Sequence, residues 1–307
     1  MRDAFIEQLT VLAENDEKVM LLTGDLGYGV LTNFSEKFPD QFINVGVAEQ
    51  NMSGLACGLA LEGYKVFTYS IANFTTLRCL EQIRNDICYH NANVTIVSVG
   101  AGFSYGQLGV SHFATEDLAI MRALPNISVI APSDPWEAKI LVNQMDKIDS
   151  PKYLRIDKGS AGSPESIEDV NLGKGRIIMN GSDITFVSVG AVLSESLKAA
   201  RILIKKGIKA RVISLNTIKP IDQDIIFNAA EETAGIICIE EHIKIGGLTS
   251  AIAEILMDKS IIPGFLKSIS LPDEYPTIVG DQDYLRNYYG ISADNIYKSA
   301  LKLLKNK

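Results

Sequence analysis

The chain has 307 residues, 47% of them hydrophobic, and 29 Lys or Arg stand against 37 Asp or Glu, which gives a formal net charge of −8. This length and apolar content suit two α/β domains, each with a core of its own. The acidic balance is spread without long runs of one sign and argues against nucleic acid or an anionic membrane as a partner.

The cysteines and the apolar segments of the sequence indicate the cellular compartment. The four cysteines lie in apolar surroundings and form no Cys-x-x-Cys pair, so we interpret them as reduced core residues and expect neither a disulfide framework nor a zinc site. The stretch from Arg2 to Leu12 is amphipathic and is typical of neither a signal peptide nor a membrane anchor. Apolar runs elsewhere stop short of the roughly 18 residues that a bilayer span needs. We therefore predict a cytoplasmic protein.

Short apolar strands alternate with helical segments from the start of the chain. The predicted strands of the first half cover residues 18–23, 42–45, 65–69, 94–99, 127–131 and 152–156. Asp134, Pro135 and Glu137 are the cap, first-turn proline and capping-box acid of a helix that we predict to end near Lys147. This alternation predicts a mostly parallel sheet with helices on both faces.

Between residues 157 and 175 the composition shifts to Gly, Ser, Pro and acids and the periodicity disappears, which indicates a linker. Strands are then predicted at 184–189, 210–215 and 236–239, and helices at 194–206, 222–232, 247–256 and 293–304. The predicted fold class is α/β with two doubly wound domains, the first at 1–160 and the second at 176–307, joined by a linker at 161–175.

Three loops are predicted at the carboxyl ends of the strands, where open α/β sheets bind their ligands. They are residues 23–27, which include Asp25 and Leu26, the turn at Glu49, and the glycine-rich stretch 100–115, which carries His112. A loop as long as 100–115 usually binds something. The chain has only three histidines, and from its position alone His112 is as well explained as a surface residue.

Glu49 is the first acid of a predicted helix whose sides are mostly Gly, Ala, Cys and Leu, so we expect its carboxylate to be buried and to need a partner. No Lys, Arg or His lies within a helical turn of it in the sequence. This absence suggests a ligand as the partner, for example a nitrogen heterocycle that shares the carboxyl proton. The alternative is a carboxylate satisfied by backbone N–H groups of the helix, and the segment alone favours that alternative.

Several motifs resemble the transketolase family of thiamine diphosphate enzymes. Gly-Val-Ala-Glu-Gln-Asn at 46–51, Asn-Phe at 73–74, Glu-Gln-Ile-Arg-Asn at 81–85 and Leu-Pro-Asn at 124–126 resemble its pyrimidine-binding domain. Glu-Glu-His at 240–242, followed by Gly-Gly at 246–247, resembles its C-terminal domain. The resemblance covers nearly the whole chain and favours a functional role for Glu49.

The resemblance implies thiamine diphosphate as cofactor and assigns residues to it. Glu49 matches the catalytic glutamate that bonds the N1′ atom of the aminopyrimidine, and Phe74 matches the aromatic residue on which that ring stacks. Asp25 and Leu26 resemble a pair that lies close to the cofactor. As an alternative, Phe74 could be a simple core residue.

At the substrate end, His112 matches a histidine that holds the reacting intermediate and substrate oxygens. The acidic pair usual before the loop glycine is replaced by Gln107 and Leu108, and the usual glutamine after the histidine is Phe113. We interpret these departures as a less polar substrate end that does not handle common pentose phosphates in the common way. Lys158 matches a basic position that meets substrate phosphate in some relatives, with a solvated linker charge as the alternative.

The family's Gly-Asp-Gly segment with a later Asn, which binds the cofactor diphosphate and Mg²⁺, does not occur in this sequence. The resemblance therefore implies no metal site in this chain and a separate large subunit that holds the diphosphate and Mg²⁺, most simply in an α2β2 assembly. The implied reaction transfers a two-carbon ketol unit from a ketose to an aldehyde in sugar metabolism. Alternatives are the β subunit of a 2-oxo acid dehydrogenase, a deoxyxylulose-phosphate-synthase-like enzyme, or a non-catalytic scaffold partner.

Overall fold

The computed structural model describes residues 1–305, which form a seven-stranded and a five-stranded sheet with helices packed on them. The strands are β1 (Val19–Thr23), β2 (Phe42–Asn44), β3 (Lys65–Ile71), β4 (Val94–Val99), β5 (Ser128–Ile130), β6 (Lys152–Ile156), β7 (Gly175–Met179), β8 (Ile184–Val189), β9 (Ala210–Leu215), β10 (Thr217–Lys219), β11 (Ile236–Ile243) and β12 (Leu266–Leu271).

The helices alternate with the strands along the chain. They are α1 (Arg2–Asn15), α2 (Thr32–Lys37), α3 (Glu49–Leu61), α4 (Ala72–Thr75), α5 (Leu80–Gln82), α6 (Asp117–Ala123), α7 (Pro135–Met145), α8 (Leu193–Ile204), α9 (Gln223–Glu232), α10 (Leu248–Asp258), α11 (Gln282–Tyr288) and α12 (Ala293–Lys305). Helix α5 continues as a π-helical turn over Ile83–Cys88. Within residues 1–305, no helix combines the length and the apolar character needed to cross a bilayer.

The first sheet has the strand order β10-β5-β6-β4-β3-β1-β2, and all of its neighbours are parallel except β10 and β5. This confirms the predicted α/β fold of the first half. Strand β10 comes from the second half of the chain and pairs antiparallel with β5. It was not predicted because three residues are too few to show an alternation, and the strand exists only through this pairing.

The second sheet has the order β12-β11-β8-β9-β7, and β7 is its one antiparallel member. Its central strands β8, β9 and β11 were predicted, whereas the two edge strands were not. Strands β7 and β12 are only partly buried and mix exposed with buried positions, so neither shows the continuous apolar run of the central strands. Gly175, which was assigned to the linker, is already the first residue of β7 and pairs with Leu215 of β9.

One apolar cluster joins the two sheets. It contains Leu22 and Ile96 of the first sheet together with Val187 and Ile213 of the second. All four cysteines are unpaired, buried and part of this cluster. The opposite face of each sheet packs on a separate cluster of its own. The two domains therefore share a core, and their relative position is set by packing.

Asp134 has a different role from the predicted helix cap. Its carboxylate makes no hydrogen bond to the first turn of α7 and instead accepts hydrogen bonds from Gly162 N at 2.7 Å and Ser163 N at 3.2 Å. Glu137 does not close the predicted capping box with Asp134 either, because it accepts the backbone N–H of Ser133, one residue before the cap, at 2.6 Å. Asp134 thereby fastens the predicted linker to the first domain.

Candidate active site

The predicted loops meet at one edge of the first sheet. Strands β1 to β4 are parallel, so their carboxyl ends lie side by side, as the doubly wound fold requires. The residues that follow these strands include Asp25 after β1, Glu49 after β2, Phe74 after β3 and His112 after β4.

Glu49 begins α3 and its side chain is only 2% exposed, so the expected burial is observed. Its partner is a protein cation, because Arg78 Nη1 lies 2.7 Å from Glu49 Oε2. The sequence correctly shows no cation within a helical turn of Glu49, but this did not exclude a protein partner from farther along the chain. Arg78 is 29 residues away in the chain, and it follows β3, which is separated from β2 by β1 alone, so that its side chain reaches the start of α3. Within residues 1–305, Arg78 is the one donor to this carboxylate.

Phe74 lies between these groups and the histidine loop. The Arg78 guanidinium carbon is 4.5 Å from the Phe74 ring centroid, and the His112 ring centroid is 5.4 Å away in an edge-on arrangement. Asn73, the preceding residue, donates from Nδ2 to Val110 O at 3.1 Å and so ties the loop to α4. Phe74 is half-buried, which leaves part of its ring accessible. The structure thus brings Glu49, Phe74 and His112 into one cluster.

The first loop packs directly behind Glu49. A Cβ at Gly24 would lie 3.3 Å from Glu49 Cγ and 3.3 Å from Gly46 O, so a larger residue there would press on the carboxylate. Asp25 has a φ of +60°, a conformation that costs energy in a residue other than glycine. Its carboxylate accepts from Tyr28 Oη at 2.9 Å. Leu26 lies in the same loop and is partly exposed.

His112 ends a short 3₁₀ turn, and its Nδ1 lies 2.9 Å from Ser111 Oγ. Partial burial lowers the pKa of His112 below its ordinary value, so the neutral ring predominates at neutral pH. The Tyr105 ring centroid is 6.3 Å from that of His112. A neutral imidazole beside an aromatic face can donate one hydrogen bond to a ligand oxygen or accept one from a ligand hydroxyl.

Lys158 reaches the same cluster from the end of β6. Its Nζ lies 3.7 Å from the Tyr105 ring centroid, and burial together with the Arg2 charge lowers its pKa. Lys158 and Tyr105 line a pocket of about 370 Å³ together with Leu108 and Gln282. The Lys158 side chain is exposed, which suits contact with an anionic group of a ligand.

Phe113 corrects one interpretation made from the sequence. Its side chain is 1% exposed, and its ring packs on Phe103 with the centroids 5.1 Å apart, in the core of the second domain. This residue therefore faces away from the substrate end. Leu108 is 55% exposed, and it lines the pocket together with Gln107, the other departure from the family pattern.

Arg78 and Tyr105 were not identified from the sequence, and Asn73 was noted only as part of the Asn-Phe motif, without a role. Arg78 had a usable signal, because it follows Phe74 by one helical turn, the spacing at which side chains meet. Tyr105 had none, since its position depends on how the long loop folds back onto α4.

The cluster fits the ring end of thiamine diphosphate. A buried carboxylate can share a proton with a ring nitrogen, a half-buried phenylalanine offers a stacking face, and Gly24 leaves the backbone close to the carboxylate. Together these groups form one side of a site for an aromatic nitrogen heterocycle.

Residues 1–163 match the transketolase pyrimidine-binding domain, and residues 173–296 match the transketolase C-terminal domain. One of the subunits of an apulose-4-phosphate transketolase from Phocaeicola vulgatus is 35% identical over 99% of this chain and 97% of its own length. A 6-deoxy-6-sulfo-D-fructose transketolase subunit from Clostridium is 32% identical over 100% of this chain and 95% of its own.

A 1-deoxy-D-xylulose-5-phosphate synthase from Geobacter sulfurreducens is 33% identical over 95% of this chain, which spans only 46% of that relative. A solved split gene transketolase, described as an inactive β4 tetramer, superimposes with a TM-score of 0.88 at 34% identity and covers 99% of this chain and 97% of its own. From the two domain matches, the full-length relatives and the shared fold, we conclude that the chain belongs to the transketolase family.

Proposed function

We propose that this chain is the small subunit of a split transketolase that transfers a two-carbon ketol unit from a ketose to an aldehyde. The observation that carries the proposal is the cluster of a buried Glu49, a half-buried Phe74 and a neutral His112 at one sheet edge. A non-catalytic scaffold has no need to bury a carboxylate beside an accessible aromatic face.

Each residue has a role in this proposal. Thiamine diphosphate, when bound, would supply a nucleophilic thiazolium carbon and a ring that takes up the electron pair released when the ketose C–C bond breaks. Glu49 holds the proton at the aminopyrimidine N1′ atom, Phe74 stacks on that ring, and Asp25 with Leu26 lies beside it. His112 holds or protonates the substrate oxygen on which charge develops. Its lowered pKa leaves the ring neutral, and the neutral ring holds this oxygen through its N–H, whereas protonation would need the imidazolium form.

A second polypeptide completes the site. We propose a large subunit that carries the diphosphate-binding domain and most of the Mg²⁺ ligands, joined to this chain in an α2β2 heterotetramer. The proposal is supported by the absence of a Gly-Asp-Gly segment from the sequence and by relatives named as subunits. The solved relative described as an inactive β4 tetramer suggests that small subunits alone do not catalyse the reaction.

We also propose the division of the chain into 1–160, a linker at 161–175 and 176–307, with Gly175 already in a strand. A cytoplasmic location is supported by the four unpaired, buried cysteines, which a reducing compartment keeps as thiols.

The substrate is proposed to be a modified sugar with an anionic group. Leu108 stands exposed where an acid usually reads a sugar hydroxyl, and Lys158 lies across the same pocket. The relatives that carry subunit names act on apulose-4-phosphate and on 6-deoxy-6-sulfo-D-fructose, both of which are unusual sugars with an anionic substituent.

The test is reconstitution with the product of a neighbouring gene that contains Gly-Asp-Gly, followed by a screen of ketose donors and aldehyde acceptors with thiamine diphosphate and Mg²⁺. We expect ketol transfer from the mixture and from neither chain alone. Tight cofactor binding and full activity by this chain alone would refute the shared site.

A second candidate is a decarboxylating enzyme that acts on a 2-oxo acid, favoured by the 33% identity to the deoxyxylulose-phosphate synthase. Release of CO₂ from pyruvate by the reconstituted complex, without ketol transfer, would establish it. The β subunit of a 2-oxo acid dehydrogenase would give the same release, and a scaffold would give neither product.

A further inference from the structure

The loop that carries His112 is anchored mainly by the second domain. Phe103, at its start, is fully buried in the core cluster of that domain and stacks on Tyr289 with the ring centroids 5.5 Å apart. Phe113, at its end, enters the same cluster. Gly102 and Ala114 close the base of the loop through two backbone hydrogen bonds of 3.1 and 3.0 Å. The segment between the two phenylalanines therefore projects from the second domain toward Phe74.

Glu241, at the carboxyl end of β11, grips the start of this loop. One carboxylate oxygen accepts the Phe103 backbone N–H at 2.5 Å and a hydrogen bond from Gln282 Nε2 at 2.9 Å, and the other accepts Arg286 Nε at 2.5 Å. A Cβ at Gly102 would lie 2.5 Å from Glu241 Oε1, and the φ of Gly102 is +53°, so only glycine permits this approach.

Asp157 forms the other half of the anchor, from the first domain. Its Oδ1 accepts Ser104 Oγ at 2.8 Å, and Arg286 Nη2 lies 3.9 Å from its Oδ2. Arg286 therefore lies between two buried carboxylates, one from each domain, that hold successive residues of the loop. Asp157 also directly precedes Lys158, so the same contacts fix the position of Lys158 after the end of β6.

We infer that Glu241 and Arg286 are positioning residues for the reaction: the second domain uses this ion pair to hold His112 and Lys158 in register with Glu49 and Phe74. This inference rests on the proposed function for the identity of the reaction. It gives the second domain an indirect part in catalysis, because Glu241 and Arg286 act by holding the loop and do not contact the cofactor cluster themselves. A displacement of about 1 Å in such a support costs about 100-fold in rate.

A matched control lies elsewhere along the same domain interface. Glu137 and Arg176 form a buried pair at 3.0 Å, with side chains 1% and 4% exposed, between α7 and β7. Neither residue contacts the loop from 103 to 113. Glu137→Gln therefore removes the same kind of buried, interdomain charge without touching the proposed support.

The experiment compares wild type, Glu241→Gln and Glu137→Gln. Amide hydrogen exchange of residues 103–113 is measured on the chain alone, and kcat, KM and cofactor affinity are measured with the large subunit. We expect Glu241→Gln to raise exchange in the loop at least 10-fold and to lower kcat 10- to 100-fold, with cofactor affinity within about twofold of wild type. Glu137→Gln should lower thermal stability yet leave loop exchange and kcat near wild type.

Unchanged loop exchange and kcat in Glu241→Gln, or equal changes in both variants, would overturn the inference. If Glu241→Gln does not fold, Gln282→Ala is the second variant. Gln282 is half-exposed, and its loss removes one hydrogen bond from the Glu241 carboxylate, so hydrogen exchange in the loop should rise by a smaller factor. Absence of ketol transfer by the wild-type complex would refute the proposed function, whereas the exchange measurement still decides whether Glu241 holds the loop.

Discussion

At the scale of single residues, the pairing of Glu49 with Arg78 changes how the site is understood. A buried carboxylate with a half-exposed arginine partner is ion-paired and hydrogen-bonded before any ligand arrives. A ring nitrogen that bonds Glu49 must therefore share the carboxylate with Arg78 or displace it. The sequence could not reveal this, because the ion pair joins segments that follow β2 and β3, two strands on either side of β1.

Arg78→Ala should destabilise the chain. The substitution leaves Glu49 buried without its cation, and because Arg78 is 45% exposed and partly screened by solvent we expect a loss of about 1 to 3 kcal/mol in the free energy of unfolding. Urea denaturation measures this loss. Lys298→Ala, which breaks the exposed pair with Asp294, is the control and should change stability by less than about 0.5 kcal/mol. Equal losses in the two variants would contradict the assigned burial of the Glu49 charge.

The pH dependence of turnover should report His112. The proposed role needs the neutral ring, and burial lowers its pKa, so activity should be kept down to a pH below the ordinary histidine value of about 6.5 and should fall as pH drops through the lowered pKa. His112→Asn should remove this acid limb and lower kcat. An acid limb that is identical in wild type and His112→Asn would assign the titration to another group.

At the scale of elements, the loop from 100 to 115 carries both His112, with its proposed role in the reaction, and Leu108, with its proposed role in substrate choice. Leu108→Asp introduces the acid that the family resemblance leads us to expect there and places it in the pocket beside Lys158. We expect this variant to shift the ratio of kcat/KM values toward ordinary ketose phosphates by about 10-fold or more. Leu61→Asp, on the exposed end of α3, is the control. An unchanged ratio in Leu108→Asp would show that Leu108 does not read the substrate.

Strands that are buried at every position are the easiest to predict from the sequence, although the partly buried edge strand β2 was predicted as well. Strands such as β4 and β8 are buried at every position and show as continuous apolar runs. Strands β7, β10 and β12 lie at sheet edges or are very short, so their existence depends on partners that are distant in the chain. Phe113 illustrates the same dependence on distant partners. The sequence shows a phenylalanine where the family resemblance implies a glutamine, and only the structure shows that its ring packs in the core of the second domain.

At the scale of the whole molecule, the two domains form one unit through the shared cluster, strand β10 and the buried Glu137–Arg176 pair. A unit of this kind holds the Glu49 cluster in a fixed position, as the proposed sharing of the cofactor with a large subunit requires. Cofactor titration, followed by calorimetry, should show weak binding to this chain alone and a gain of at least 100-fold when the large subunit and Mg²⁺ are present. Equal affinity with and without the partner would argue against a shared site.

The most direct test of the account is turnover by the reconstituted complex with Glu49→Gln in the small subunit and cofactor occupancy measured in the same sample. Glutamine keeps the size of the side chain and an oxygen for Arg78, but it cannot hold the proton at the ring nitrogen. We predict a folded, cofactor-loaded complex whose kcat is lower by at least 100-fold. Ketol transfer at the wild-type rate by that complex would contradict the central claim that Glu49 carries the catalytic proton.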